Sequence, residues 1–349
     1  MPVTAAEHED MTDTAEDAVP DRAGRRRGLP AVGLFLLSPL FGEYLLGNLK
    51  VSDLALLPFL ALMYGAGALL IRETARRSGR GSATMLILGV AYALVEEGLI
   101  DQMLFNQHYF VGQSEGSDTY IGAFGVDASL TIIVVAMHAI WSTYIPITIV
   151  ESLVPDRRAR PWLGPVGIAV TASVFAGGSA WLGWETYRET GFLASEAQVT
   201  GASLVVAGLV VAAFLVPQRV GGPPPSGRPA PRVWIAGLSA FAMSSLFMLT
   251  ETLPGWLEVA AALLLMVVFA VAVLRWSSRP GFGERHRLGL VAGGVLTYAW
   301  LGLTMEPETG PRSMNDQVGG VLIAGFALAL TALAVRRSTA VDNGPAGPG

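Results

Sequence analysis

Residues 84–106 read TMLILGVAYALVEEGLIDQMLFN, and residues 128–150 read ASLTIIVVAMHAIWSTYIPITIV. The first run carries no charge before Glu96, and the second has no Asp, Glu, Lys or Arg and a single histidine, His138. A helix rises 1.5 Å per residue, so roughly 20 apolar residues cross a hydrocarbon layer of about 30 Å. Backbone groups in hydrocarbon must pair inside their own segment, which makes each run a helix. The short alternating segments of a membrane barrel are not seen in the sequence.

The same pattern recurs along the chain. Ten segments qualify, at approximately 31–49, 53–72, 84–106, 128–150, 163–184, 198–217, 233–251, 256–275, 287–305 and 317–335. This predicts an all-α fold: a polytopic transmembrane bundle of about ten helices. Composition agrees. The 349 residues are 52% hydrophobic and 15% charged, with a mean hydropathy of +0.50, whereas a soluble domain carries about a quarter charged residues. Cysteine is absent, which excludes disulfides, thiol catalysis and thiolate-bound zinc. The net charge of -5 identifies no partner, because what matters is where each charge lies.

Arginine bias sets the expected orientation. With the N-terminus in the cytoplasm, 20 basic residues fall inside and 3 outside, the outer ones being Lys50, Arg188 and Arg312. Both termini are then cytoplasmic. The outer loops are acidic instead, with Glu115, Asp118, Asp127, Glu185, Glu189, Glu196, Glu306, Glu308 and Asp316. Trp162, Trp184, Trp234, Trp256 and Trp276 stand at segment ends, as interfacial anchors do. One lysine among 23 basic residues, with abundant Ala, Gly and Val, is the composition of a high-GC bacterial genome, so the expected location is a bacterial plasma membrane. The arginine-rich loops are topology signals that meet anionic lipid headgroups. They give no support to nucleic-acid binding.

Residues 1–29 are acidic and then basic, and bury too little apolar surface to fold, so a disordered cytoplasmic tail is expected. The apolar run after it contains Glu43 and lacks a small-residue cleavage site, which reads as a first span and not as a signal peptide. The stretch PQRVGGPPPSGRPAPR at 217–232 is a semi-stiff spacer by composition. A six-helix half at 30–217, a linker at 218–232, a four-helix half at 233–337 and a disordered tail at 338–349 follow from it.

A charge in mid-membrane costs at least ~2.5–3.5 kcal/mol, so buried ionisable residues mark function or a polar network. Here they fall in the first four spans: Glu43, then Glu96 and Glu97, then His138. Each of Glu43, Glu96 and His138 lies twelve residues from the expected inner end of its helix, which is ~18 Å of depth. Adjacent carboxylates beside an imidazole suit general acid–base work. They also suit a divalent metal that activates water, or proton transfer; no cofactor follows from the sequence itself. Tyr64 and Arg72 are expected partners from the second span, Asp101 shares a helical face with Glu97, and Ser142 shares one with His138. Arg72, Glu73, Arg76 and Arg77 read most simply as charges at the inner boundary, Asp101 as lying toward the outer interface, and Glu251 and Glu258 as helix-end residues.

The segment Val95-Glu96-Glu97-Gly98-Leu99-Ile100-Asp101, with Val134-Val135-Ala136-Met137-His138 about 40 residues later, resembles the CAAX-protease and bacteriocin-processing family of intramembrane proteases. The resemblance covers about 45 residues of the third and fourth spans. It implies that Glu96 or Glu97 activates water, with help from His138. Asp101 stands at that family's arginine position, Val134 at its phenylalanine position, and no second membrane histidine follows His138.

Three readings follow. The first is a Glu/His-dependent hydrolase acting on a membrane-associated peptide. The second is a proton-linked transporter or channel for a small solute. The third is a non-catalytic scaffold whose polar cluster fixes helix packing.

Overall fold

The computed structural model describes residues 22–109, 117–217 and 227–342. Residues 1–21, 218–226 and 343–349, which hold most of the expected tails and spacer, lie outside them, as do residues 110–116 with Glu115 of the expected acidic loop. The membrane-type helices are α1 (Gly28–Leu45), the bent pair α2 (Val51–Ala61) and α3 (Tyr64–Arg77), α4 (Ser82–Ile100), α5 (Ala128–Leu153), α6 (Pro165–Thr190), α7 (Glu196–Leu215), α8 (Val233–Thr252), α9 (Trp256–Ser277), α10 (Glu284–Thr304) and α11 (Met314–Ser338). Eight of these are long and apolar enough to cross a membrane alone, and α2 with α3 makes a ninth, bent by 46°. Helix α10 covers the remaining expected segment and carries Glu284, Arg285 and Arg287 in its first turn. The fold is thus a polytopic helical bundle, relieved only by a two-residue hairpin of β1 (Tyr120–Ile121) and β2 (Val126–Asp127) among the described residues.

Local chemistry sets the helix limits. Asp127 caps α5 by accepting from the Leu130 backbone N–H at 2.8 Å, and Ser195 with Gln198 forms a capping box on α7. Gly191 ends α6 at φ +66°, a conformation that costs glycine little. The α2–α3 bend arises where Leu62 and Met63 donate to carbonyls three residues back, tightening the helix to one that cannot continue straight. Helix α1 extends back to Arg22, into the segment expected to be unfolded.

The arginine-bearing loops gather at one end of the bundle. There Arg80 donates to the Val216 carbonyl, Arg158 pairs with Glu284, and Arg337 donates to the Leu153 carbonyl. The acidic loops gather at the other end. There Lys50 donates to the Thr309 carbonyl, the Ser52 N–H to Asp316, and the Ala194 N–H to Gln102.

Packing separates an inner group from an outer one. Helices α1, α3, α4, α5, α10 and α11 supply most of the buried core, including Leu34, Phe41, Met85, Ile145, Ile147, Leu288 and Tyr298. Tyr298 of α10 stacks on Trp141 of α5 with ring centroids 4.6 Å apart. Helices α6, α7 and α9 expose rows of Leu, Val and Trp, such as Trp184, Leu204, Leu264 and Val267. Such continuous apolar exposure is what a lipid solvent permits.

Candidate functional site

Three helices carry the ionisable cluster, and each widens where the cluster lies. Leu40–Leu45 of α1, Val95–Ile100 of α4 and His138–Tyr144 of α5 are π-helical. The backbone N–H of Asn48 donates to Glu43, that of Asp101 to Glu96, and that of Ile145 to Ile140, each reaching five residues back. Such wide turns are rare and tend to mark functional positions. Here they bear Glu43, Glu96, Glu97, His138 and Ser142.

The imidazole of His138 lies between the two glutamates. Its Nδ1 is 3.1 Å from Glu96 Oε2 and its Nε2 is 2.7 Å from Glu97 Oε1. Each ring nitrogen thus faces a carboxylate oxygen, a spacing across which one imidazole can exchange a proton with either glutamate. All three side chains are buried, at 1% exposure for Glu96, 3% for Glu97 and 9% for His138. Glu96 Oε2 and Glu97 Oε2 both accept no hydrogen bond, nor does the Tyr92 hydroxyl donate one. Glu96, Glu97 and His138 each present one ligand atom, and these atoms lie within 4.8 Å of one another. Two carboxylates and an imidazole at that spacing form a set that a divalent cation accepts, with positions left open.

The expected supporting residues surround this core. Tyr64 stands with its ring centroid 5.6 Å from that of His138 and donates its hydroxyl to Glu43 Oε1 at 2.5 Å. Glu43 therefore joins the cluster through Tyr64. Its other oxygen accepts from Asn48 Nδ2 at 2.8 Å. Ser142 Oγ lies 3.4 Å from His138 Nδ1. Asp101 faces Glu97 from the next turn of α4. Gly42 lets α1 reach α5, since a Cβ there would stand 2.6 Å from Ser142 Oγ.

Sequence reasoning missed four participants. The Ser38 hydroxyl bridges the carbonyls of Tyr64 and Ser142, at 3.0 and 2.5 Å. Asn48 orients Glu43, and Tyr92 packs beside Glu96 one turn earlier on α4. Each is a polar residue inside an apolar run, which is the one signal available. Glu308 is the fourth: it lies in the acidic-end loop, where its backbone N–H donates to the Asn48 carbonyl at 3.1 Å.

Arg72 is not a partner of the cluster; it lies at the arginine-rich end, covered by protein. It is fully buried, beside a buried Glu73. Its guanidinium meets Glu73 Oε1 at 2.5 Å and Glu151 Oε1 at 3.1 Å, while Arg76 holds Glu151 Oε2 at 2.5 Å. It also donates to the carbonyls of Arg158 and Arg160 and stacks 3.5 Å from the Trp162 ring. The physical reason is geometric. The loop after α5 folds back over the end of α3, so its carbonyls, with Glu73 of α3 and Glu151 of α5, supply what water would have supplied at an interface.

Comparison with known proteins gives one family. The model of a family described as an uncharacterized membrane protein family matches residues 33–344. No curated protein and no solved structure matches. The match corrects the resemblance to the CAAX-protease and bacteriocin-processing family: it takes in almost the whole described membrane region and assigns it elsewhere. A di-glutamate and one histidine on neighbouring helices are too short a pattern to carry a family, because any buried acid–imidazole network uses the same residue types.

Proposed function

We propose, from the premise that the chain belongs to this uncharacterized membrane protein family, that it is a proton-linked transporter whose ion site is Glu96, Glu97 and His138. One observation carries the reading: an imidazole deep in the bundle is engaged by a carboxylate at each nitrogen. A buried charge in a membrane is expensive and persists where it handles ions or protons. A proton can pass between such groups with little side-chain movement, and the unpaired Glu97 Oε2 is an open acceptor for it. Polar residues continue from the site toward the acidic end, through Asp101 on one side and through Tyr64, Glu43, Asn48 and Glu308 on the other. At the arginine-rich end the Arg72–Glu73–Glu151–Arg76 network fills the space between α3 and α5. The site is accordingly loaded from the acidic side.

In this reading the arginine-rich end is cytoplasmic and the acidic end faces outward across a bacterial plasma membrane. The partners are lipids and a small solute.

The test is flux. Reconstituted protein, with a pH-sensitive dye enclosed, is challenged with a panel of small solutes under a pH gradient. Solute-dependent proton movement that disappears in Glu96→Gln supports the reading. No flux across the panel in the wild type defeats it and leaves the cluster as a packing element. A hydrolytic reading has one observation of its own, the open Glu97 carboxylate beside His138, which suits water activation. A defined cleavage lost in Glu97→Gln and His138→Ala would move the conclusion there.

A further inference from the structure

Ligands bound to one metal ion at ~2.0–2.2 Å stand roughly 3–3.5 Å from their neighbours. Glu96 Oε2 and His138 Nδ1 are 3.1 Å apart, and Glu97 Oε1 and His138 Nε2 are 2.7 Å apart. One ligand atom from each of the three residues lies within 4.8 Å of the other two. A small adjustment of side chains therefore brings all three onto one ion.

Two observations point to a cation there. Glu96 Oε2 and Glu97 Oε2 are buried and accept no hydrogen bond, in residues that are 1% and 3% exposed. A carboxylate oxygen buried without a donor is costly, and a bound cation removes that cost. The second observation is charge. Among the described residues neither Glu96 nor Glu97 pairs with a lysine or arginine; both face only His138. Glu73 and Glu151, equally buried, are met by Arg72 and Arg76 instead. One imidazole cannot balance two carboxylates, whereas a dication beside a neutral imidazole balances both.

We infer that Glu96, Glu97 and His138 bind a divalent cation of the first transition row, of the Mn²⁺, Co²⁺ and Zn²⁺ kind. Carboxylates alone suit Mg²⁺ and Ca²⁺, and the imidazole turns the preference to transition ions. The complex carries no net charge, which suits a membrane interior. Ligands shed their protons to bind metal, so the ion and protons compete for the same three groups. Calling this ion the transported solute rests on the transport reading; its binding does not.

Co²⁺ is a suitable probe, because its visible absorption reports the ligands around it. Chelator-treated full-length protein, free of any histidine tag, is titrated with cobalt chloride in detergent. One saturable ion per chain is expected, displaced by Zn²⁺ and not by Mg²⁺. Binding weakens about tenfold or more in Glu97→Gln and in His138→Asn, and is unchanged in His8→Ala/His108→Ala/His286→Ala, which removes the other three histidines of the chain. X-ray absorption of the Co²⁺-loaded wild type needs no variant and is expected to show one imidazole among oxygen ligands. Absence of saturable binding overturns the inference. So does a ligand shell without imidazole, or full affinity in both Glu97→Gln and His138→Asn, either of which marks an adventitious ion only. A pH jump on metal-free protein tests the transport reading apart from this one. Proton movement without Co²⁺ binding removes the metal site alone, and Co²⁺ binding without proton movement removes the transport reading alone.

Discussion

Arg72 and His138 each lie buried between two carboxylates, yet their surroundings assign them opposite roles. Every donor of Arg72 that the structure records meets an acceptor, and its face is covered by Trp162. His138 lies beside an open carboxylate oxygen. The first is a closed network, in which removing one partner strands the others. Arg72→Ala leaves Glu73 and Glu151 short of a cation and is expected to cost about 3–5 kcal/mol, read as a lower unfolding temperature in detergent. An unchanged temperature would contradict that assignment. His138→Asn is expected to leave the fold largely intact and to remove the proton response. Glu96, Glu97 and His138 were legible in the sequence because they interrupt apolar runs at matched depth. Arg72 was not, because an arginine at a span's end is also what topology requires, and only the fold of the loop at 157–163 tells the two apart. The four participants that sequence reasoning missed contribute through geometry that hydropathy does not encode.

At the level of single helices, hydropathy revealed where spans lie but not how they are wound. The three π-helical segments hold the ionisable residues that interrupt the apolar runs, but hydropathy registers only their polarity, so the widening of the turns at Glu43, Glu96 and His138 was not readable. The break between α2 and α3 was likewise hidden within one apolar run. Close approach was partly visible, since glycine is the residue that permits it. Gly65 sits where an added Cβ would overlap the Phe35 carbonyl of α1, whereas Gly177 of α6 has nothing within 4 Å of such a Cβ. Gly65→Val is therefore expected to push α3 from α1, displace Tyr64 from Glu43 and reduce the yield of monodisperse protein. Gly177→Ala is expected to purify like the wild type. Equal behaviour of the two in size-exclusion chromatography would argue against the α1–α3 contact.

Across the whole molecule, the separation of arginines from acids along the chain becomes a separation between two ends of the bundle, and that much was readable from loop composition alone. A cavity at the acidic end was not, because its walls come from segments more than a hundred residues apart in sequence: Met103 and Asp118 meet Glu251 and Glu258. The absence of cysteine makes the proposed orientation directly testable. A single cysteine at Ser117 or Thr309 should react with a membrane-impermeant maleimide in intact cells, and one at Ser278 should react only after permeabilisation; the reverse pattern would invert the topology. The central claim, that Glu96, Glu97 and His138 bind protons within the membrane and are loaded from the acidic end, needs no knowledge of the solute. Proteoliposomes are adsorbed on a solid-supported membrane and given a pH jump, and the charge displaced is recorded. The account predicts a transient current in the wild type that is lost in Glu96→Gln, Glu97→Gln and His138→Asn proteins of normal fold. A wild-type membrane without such a current, or variants that keep it at full size, would contradict the account.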